Sequence, residues 1–181
     1  MSQLEREAMA HYLDSSFKRT VASATWEILG EDIEEMSVDL NPDTSSKKTI
    51  LGKTKVTDNG YEPSISVDPF YADPSSALYK QVRDIALKRL KGDACKTLML
   101  EVIVEDTAAT KHLAYVQEVI VKPQSYGGDT SGVNFPFNII DCGERTEGTV
   151  DAASLKSGSP KFTAGAATQS LEAGDAVKAS K

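Results

Sequence analysis

The sequence predicts an α+β fold that is mostly β, with β-sandwich or barrel-like sheets flanked by one α-helix. Two apolar runs between Lys96 and Lys122 enclose a short polar stretch, which is the pattern of a long β-hairpin. One segment, residues 73–92, has apolar residues at helical spacing instead. Alternating apolar and polar residues recur on both sides of these two segments, which is typical of half-buried strands.

The length of 181 residues suits one domain with appended arms. We expect an N-terminal arm or helix at residues 1–20 and a β domain at residues 21–155. Residues 156–181 contain few large apolar side chains, so we expect a C-terminal tail that is flexible or ordered by a partner.

The composition favours a protein that folds in water. No run of 18 apolar residues occurs, so we expect no membrane partner. The N-terminal segment MSQLEREAMAHYLD lacks the apolar core of a secretory signal, which favours synthesis in the cytoplasm. Cys95 and Cys142 form no CxxC pattern, so we expect free buried thiols rather than a disulfide or a metal site.

The charge is unevenly distributed. The net charge is −7, and seven acids but no Lys or Arg lie between Glu27 and Asp43. This run disfavours tight binding of phosphates, so a nucleic-acid clamp is not expected. It is either a solvated strand face or a surface that repels polyanions, and the sequence leaves both interpretations open.

The first elements are predicted from capping and alternation. Ser2 and Glu5 have the spacing of a capping box, which predicts that residues 2–14 begin as a helix. A strand is predicted to begin at Thr25 and Trp26, and a second one is predicted at residues 35–40.

Asn59–Gly60 is the strongest turn signal, because both residues accept the positive φ of a type I′ turn. It predicts a hairpin within residues 41–70, in which Thr49–Thr57 pairs with Tyr61–Asp68. Since an isolated two-stranded hairpin is marginal in water, we expect it either to pack on its own domain or to project onto another subunit.

Residues 73–92 give the clearest helix signal. Asp73 is the expected N-cap, Pro74 suits the first helical position, and Gly92 suits the left-handed residue that ends a helix. A single apolar stripe predicts that the helix lies across a sheet. The stripe consists of Leu78, Val82, Ile85, Ala86 and Leu90.

A turn centred near Ala108–Ala109 would fold residues 96–122 into a central hairpin with two different faces. Glu101, Glu105 and Glu118 would share a partly wet face. The dry face would carry Leu98, Leu100, Val102 and Val104. Further along, alternation from residue 133 to 139 predicts another core strand, and GERTEGTV at 143–150 predicts its extension or a last strand.

No motif in the sequence supports catalysis. The GKT at residues 52–54 lacks the upstream glycine of a phosphate-binding loop. Asp39, Asn41 and Asp43 have the first spacings of a calcium loop but lack its later glycine and glutamate. With two histidines and no recognisable nucleophile arrangement, we predict that the chain is not an enzyme and has no cofactor.

The order of strands, hairpin, one helix, central hairpin and GERTEGTV resembles the major tail tube proteins of long-tailed, siphovirus-like bacteriophages. The resemblance covers about residues 23–151 and rests on TWEILGEDIEEMSVDLNPD, SKKTILGKTKVTDNGYEPSISVDPFYADPSS and NFPFNIIDCGERTEGTVD. It implies a tail-tube fold in a virion structural protein. Six copies would form a ring, and stacked rings would form the tube through which DNA leaves the virion.

The resemblance also implies partners and contact residues. The partners would be further copies of this chain, other tail proteins such as the tape measure and the tail terminator, and double-stranded DNA in transit without specific binding. The expected lumen-facing residues are Glu101, Glu105, Glu118, Asn134 and Asn138. The expected inter-subunit contacts are Lys47, Lys48, Lys53, Lys55, Asn59, Gly60 and Tyr61. The alternative is a non-polymerising β-sandwich module that binds a ligand or a protein.

Overall fold

The computed structural model of the protein describes residues 3–31 and 33–165. An eight-stranded antiparallel sheet curls like half a barrel, and one long helix lies on one of its faces. The predicted α+β, mostly β class is therefore confirmed. Residues 166–181, most of the predicted tail, lie outside the described part of the chain.

The strands and helices are named in chain order. The strands are β1 (Met9–Asp14), β2 (Trp26–Leu29), β3 (Val38–Asp39), β4 (Pro42–Lys48), β5 (Thr54–Tyr61), β6 (Ser64–Val67), β7 (Lys96–Ile103), β8 (Lys111–Pro123), β9 (Gly127–Asp129), β10 (Gly132–Asn134), β11 (Phe137–Asp151) and β12 (Phe162–Ala164). The helices are α1 (Ala77–Lys88) and α2 (Ala152–Lys156).

The main sheet has the order β2-β1-β7-β8-β11-β6-β3, and β12 pairs with β11. Two further pairs, β4 with β5 and β9 with β10, form separate two-stranded sheets. Strands β2 and β3 are thus the two ends of the main path.

The sheet is buried on both faces in its middle. On one face, α1 packs through Leu78, Val82 and Ile85 against a cluster that includes Val119 and Phe137. A second cluster on the opposite face includes Leu100, Val102, Val116 and Val150, with Leu155 of α2 and Phe162 of β12 packed against it. Strand β7 contributes to both clusters, so the central strand is enclosed between two apolar layers.

The N-terminal segment is a strand rather than the predicted helix. Strand β1 pairs with β2 on one side and with β7 on the other, and Tyr12 and Leu13 are buried on its two faces. Hydrogen bonds to two neighbouring strands outweigh the local helical spacing. Residues 9–14 therefore belong to the main sheet and not to an arm.

The C-terminal boundary also moves outward, because β12 pairs with β11 through Gly148, Thr149 and Val150. A Cβ at residue 148 would clash with the backbone carbonyl oxygen of Thr163 and would also come within 2.6 Å of Cζ of the Phe162 ring. A glycine is therefore required at residue 148. Phe162, which lies in the predicted tail, therefore packs against the second apolar cluster.

Helix α1 is shorter than the predicted segment and has a different cap. The Ser76 hydroxyl, rather than Asp73, accepts a hydrogen bond from the backbone N–H of Tyr79 at 3.0 Å. Glu27 reinforces this end by accepting from the Ser76 hydroxyl and from the Leu78 N–H. At the other end Arg89, rather than Gly92, is the left-handed residue that ends the helix, with φ of 53°. Gly92 also has a positive φ, of 67°, but it lies beyond the end of α1.

The central hairpin differs from the predicted one by a single residue of register. Leu98 lies opposite Glu118, and Glu101 lies opposite Tyr115, whereas a turn centred at Ala108–Ala109 would place Glu101 opposite Val116. Each pair shifts by one, so Glu101 and Glu118 lie on opposite faces of the sheet. The predicted shared wet face is wrong.

The packing of α1 predicts the effect of truncating its buried stripe. Ile85→Ala should lower the free energy of unfolding by about 2–5 kcal/mol, because it opens a cavity against the sheet. Leu87→Ala is the matched control, since Leu87 is exposed on the same helix and should change stability by less than about 0.5 kcal/mol. Urea denaturation followed by circular dichroism measures both; equal losses would contradict the packing of this stripe.

Candidate functional site

The segment Pro42–Tyr61, here called the projecting hairpin, has no packing partner within the described chain. Strands β4 and β5 pair only with each other, and every residue from 42 to 59 is exposed. Its strands are about 25 Å long at the usual rise per residue. A two-stranded hairpin without packing partners is only marginally stable in water.

The turn of the projecting hairpin is not at the predicted Asn59–Gly60. It lies at residues 49–53, where the N–H of Thr49 donates to the carbonyl of Lys53 and Gly52 adopts a positive φ of 74°. Asn59 instead occupies a bulge in β5, beside Gly60, whose N–H donates to the Asp58 carboxylate. An Asn-Gly pair suits this bulge as well as a turn, because the bulge also needs a residue with positive φ, which is Gly60.

This shift of the turn places two apolar residues at the tip. Ile50 is 104% exposed and Leu51 is 81% exposed. Thr49 fixes the turn behind them, because its hydroxyl donates to the Lys53 carbonyl and accepts from the Lys53 N–H. The tip is therefore an ordered apolar knob rather than a polar turn.

The lysines of the projecting hairpin repel one another. Lys47 lies directly opposite Lys55, and Lys48 lies on the other face with Val56. Within the described residues, no ion pair involves Lys47, Lys48, Lys53 or Lys55. Since like charges directly across a strand pair are destabilising, this surface is suited to an acidic partner.

The base of the projecting hairpin is fastened to the main sheet. The side-chain amide of Asn41 donates to the carbonyl of Glu62 and to the hydroxyl of Ser64. Tyr61 lies opposite Pro42 and is mostly exposed. The seven predicted contact residues thus lie together on one hairpin, although the turn lies elsewhere.

Glu101 is a buried member of an ionic cluster. His11 Nε2 lies 3.2 Å from one carboxylate oxygen, and Arg145 Nη2 lies 2.5 Å from the other. The Arg145 guanidinium also stacks over the Tyr115 ring, 4.3 Å from its centroid. We call these four residues the Glu101 cluster; Glu101 itself is 5% exposed.

The Glu101 cluster keeps its carboxylate charged despite burial. Burial by itself would raise the pKa of Glu101, but the hydrogen bond from His11 and the charge of Arg145 outweigh it, so the pKa is lowered. Burial raises the pKa of the neighbouring Asp141. The cluster therefore contains a carboxylate whose ionised form is stabilised by partners within the fold.

The other predicted lumen residues are dispersed. Glu118 faces away from α1, where Lys96 Nζ and Arg19 Nη1 lie 3.6 and 3.7 Å from its carboxylate. Asn138 is on that same face, because its neighbours Phe137 and Ile139 are in the α1-side core. Glu105 is exposed in the loop after β7. Asn134 is structural, since its side chain accepts from the Phe70 N–H and donates to Asp68.

The described residues contain no group of three or more His, Cys, Asp or Glu side chains that could hold a metal ion. Cys95 and Cys142 are both free thiols. Cys95 is buried as predicted, whereas Cys142 is exposed, so the prediction that both are buried is wrong for Cys142. In the part of the chain that the structure describes, no helix is long and apolar enough to cross a membrane.

Sequence reasoning missed Ile50 and Leu51 as surface residues, and it missed His11 and Arg145. The Ile50–Leu51–Gly52 order could have indicated an apolar turn, because glycine supplies the positive φ. Nothing in a single sequence brings residues 11, 101 and 145 together, since their contact depends on strand order and on the β11 bulge.

Comparison with known proteins shows the fold. No protein-family model matches the chain, and no curated protein matches it. A chain from a solved structure described as the tail of an empty GTA particle, computed with helical refinement and C6 symmetry, aligns with a TM-score of 0.53. The identity is 12%, and the alignment covers 80% of this chain and 98% of that chain. The protein thus shares the fold of a chain found in a tail assembly.

The Glu101 cluster predicts that the stability difference between the wild-type protein and a Glu101 variant depends on pH. Glu101→Gln should lower the free energy of unfolding at pH 7 by about 1–3 kcal/mol, because buried partners lose a charged acceptor. The lowered pKa means that this stabilisation is present above the unfolded value, near 4.3, and is lost as the pH falls through the folded pKa. The gap between the wild-type protein and the variant should therefore shrink between pH 7 and pH 3.

Glu105→Gln is the matched control, since it removes the same charge from an exposed loop. Urea denaturation at several pH values measures all three proteins. A gap between the wild-type protein and Glu101→Gln that stays constant with pH would contradict the role given to this carboxylate.

Proposed function

We propose that this chain is a structural subunit of a phage-like tail, which assembles with itself into rings of six that stack into a tube. The observation that carries the proposal is the projecting hairpin. Its apolar tip and opposed lysines have no partner within the described chain, and the fold is shared with a chain of a C6-symmetric tail. The role is structural rather than catalytic.

The edges of the main sheet support lateral assembly. Within the described chain, strands β2 and β3 end the main path of the sheet, and each has a side without a strand partner. An open strand edge is normally covered in natural proteins, and a ring of curled sheets would cover each edge with the next subunit. One heterologous contact that closes gives the ring, and a second that never closes gives a filament.

We assign the channel to the sheet face directed away from α1, where Glu118 and Asn138 lie. Glu105 can line the same channel from its loop, whereas Glu101 and Asn134 are held inside the subunit by their own contacts. Electrostatic repulsion of DNA at such a wall would extend only about 8 Å at physiological salt. The wall would thus pass double-stranded DNA without binding it specifically.

The same proposal places the protein in the virion tail after synthesis in the host cytoplasm. A tail tube ends against other components, so a tape measure protein and a tail terminator are the further partners expected. These contacts would use the ends of the tube, while the contacts between copies make up its length.

Electron microscopy of the purified chain tests the proposal. We expect rings and tubes of uniform width, with sixfold symmetry in end-on views, at raised protein concentration. A chain that stays monomeric at every salt concentration would overturn the proposal and favour the non-polymerising binding module instead.

Substitutions at the tip of the projecting hairpin should change assembly without changing the stability of the subunit. Ile50→Ser with Leu51→Ser should abolish tubes, since it removes the apolar knob, yet leave the free energy of unfolding within about 0.5 kcal/mol because both side chains are exposed. Leu87→Ser, an exposed leucine on α1, should leave the tubes intact. Sedimentation and microscopy measure assembly; unchanged tubes in the tip variant would contradict the role of the hairpin.

A further inference from the structure

We propose that the projecting hairpin of one copy docks its tip in a groove at the open end of strands β1 and β2 of a neighbouring copy. This inference rests on the self-assembly proposed above and identifies the surface that receives the hairpin. The groove, here called the acidic groove, has a volume of about 450 Å³ and runs between the start of β1, the end of β2 and the segment before β3.

The floor of the acidic groove is apolar. Met9, Ile28, Ile33 and Met36 line it, and Ile28 is the exposed residue of the edge strand. Arg6 also lies here, but its guanidinium donates to the carbonyls of Met9 and Met36 at 2.6 and 3.0 Å. The arginine therefore ties the two sides of the groove together and turns its donors toward the backbone.

The rim of the acidic groove is negative. Glu7, Glu31 and Glu34 lie around the apolar floor, and all three are exposed. In the described part of the chain, none of these three carboxylates forms an ion pair. From the acidic run of the sequence, Glu27 accepts hydrogen bonds at the start of α1, whereas Glu31 and Glu34 belong to this rim.

The projecting hairpin has the complementary arrangement. An apolar tip, Ile50 and Leu51, is followed along the hairpin by the opposed Lys47 and Lys55. Seating the tip on the floor would place these lysines at the level of the glutamates. The contact would bury exposed leucine and isoleucine side chains and relieve the repulsion between two like charges.

A second copy fits this groove better than a different protein, because both halves of the contact are on this chain. The tip of one hairpin buries far less surface than a standard interface of about 800 Å² per partner. A ring presents several hairpins to the next ring at once, however, so weak individual contacts become strong through multivalency. Docking of this kind favours assembled tubes over isolated pairs.

A disulfide scan of assembled tubes tests the pairing directly. In a Cys142→Ser background, Leu51→Cys with Ile28→Cys should cross-link copies into ladders on non-reducing gels after mild oxidation, since Cα atoms must lie within about 7 Å to form the bond. Leu51→Cys with Leu87→Cys is the matched control and should remain monomeric on the gel. Cys95 is buried and stays in all variants.

A charge exchange provides an independent measurement. Lys47→Glu with Lys55→Glu should raise the critical concentration for tubes at least tenfold, and Glu31→Lys with Glu34→Lys should do the same. A chain that carries all four changes should recover most of the assembly. Unfolding curves keep folding defects separate from assembly defects.

The outcomes separate the two proposals. Tubes that form while the Leu51–Ile28 pair stays monomeric on the gel, or four changes that do not restore assembly in a folded chain, would overturn the acidic groove and leave the tube function standing. A parent chain that never forms rings or tubes would overturn both.

Discussion

The register between β7 and β8 decides which side chains of this protein are buried. It places Glu101 opposite Tyr115 and beside His11 of β1, while the bulge in β11 brings Arg145 within contact of the same carboxylate. An enclosed carboxylate without partners costs several kcal/mol, so a register that separates Glu101 from these partners is disfavoured. The same register fixes the two apolar clusters on either side of β7.

Because β7 is enclosed on both faces, the fold needs segments from both ends of the chain. Strand β1 extends the sheet beside β7, and α2 with β12 covers the cluster on the face away from α1. The subunit therefore satisfies its own core. Within the described residues, strands β4 and β5 of the projecting hairpin pair only with each other, and its apolar tip and paired lysines contribute little to the stability of one copy. In the proposed function, folding and assembly would thus depend on different residues, so that a subunit could fold before it polymerises.

The sequence predicted those parts of the fold that depend on local patterns. The fold class and the stripe of Leu78, Val82 and Ile85 could be recognised because periodicity reports which face is buried. The strand nature of residues 9–14 could not, since it depends on pairing with residues far along the chain. The predicted register of the central hairpin is wrong for a related reason. A loop of several residues between the strands does not determine the pairing to within one residue.

The residues of the candidate site likewise include some that the sequence predicts and some that it does not. The sequence predicts the lysines of the hairpin but not its apolar tip, because Asn59–Gly60 indicates a turn where the structure has a bulge. The acidic run is visible in the sequence. The sequence does not show, however, that Glu27 reaches α1 whereas Glu31 and Glu34 surround the acidic groove. Contacts of this kind arise from the packed structure, and one sequence does not encode them in any local pattern.

The central claim is that the projecting hairpin is completed by another copy of the chain. Hydrogen–deuterium exchange of Pro42–Tyr61, measured in the monomer and in assembled protein, tests it most directly. We expect fast exchange of these amides in the monomer and strong protection after assembly, while the amides of β7 and β8 are protected in both states. Equal exchange of residues 42–61 in the two states would contradict it.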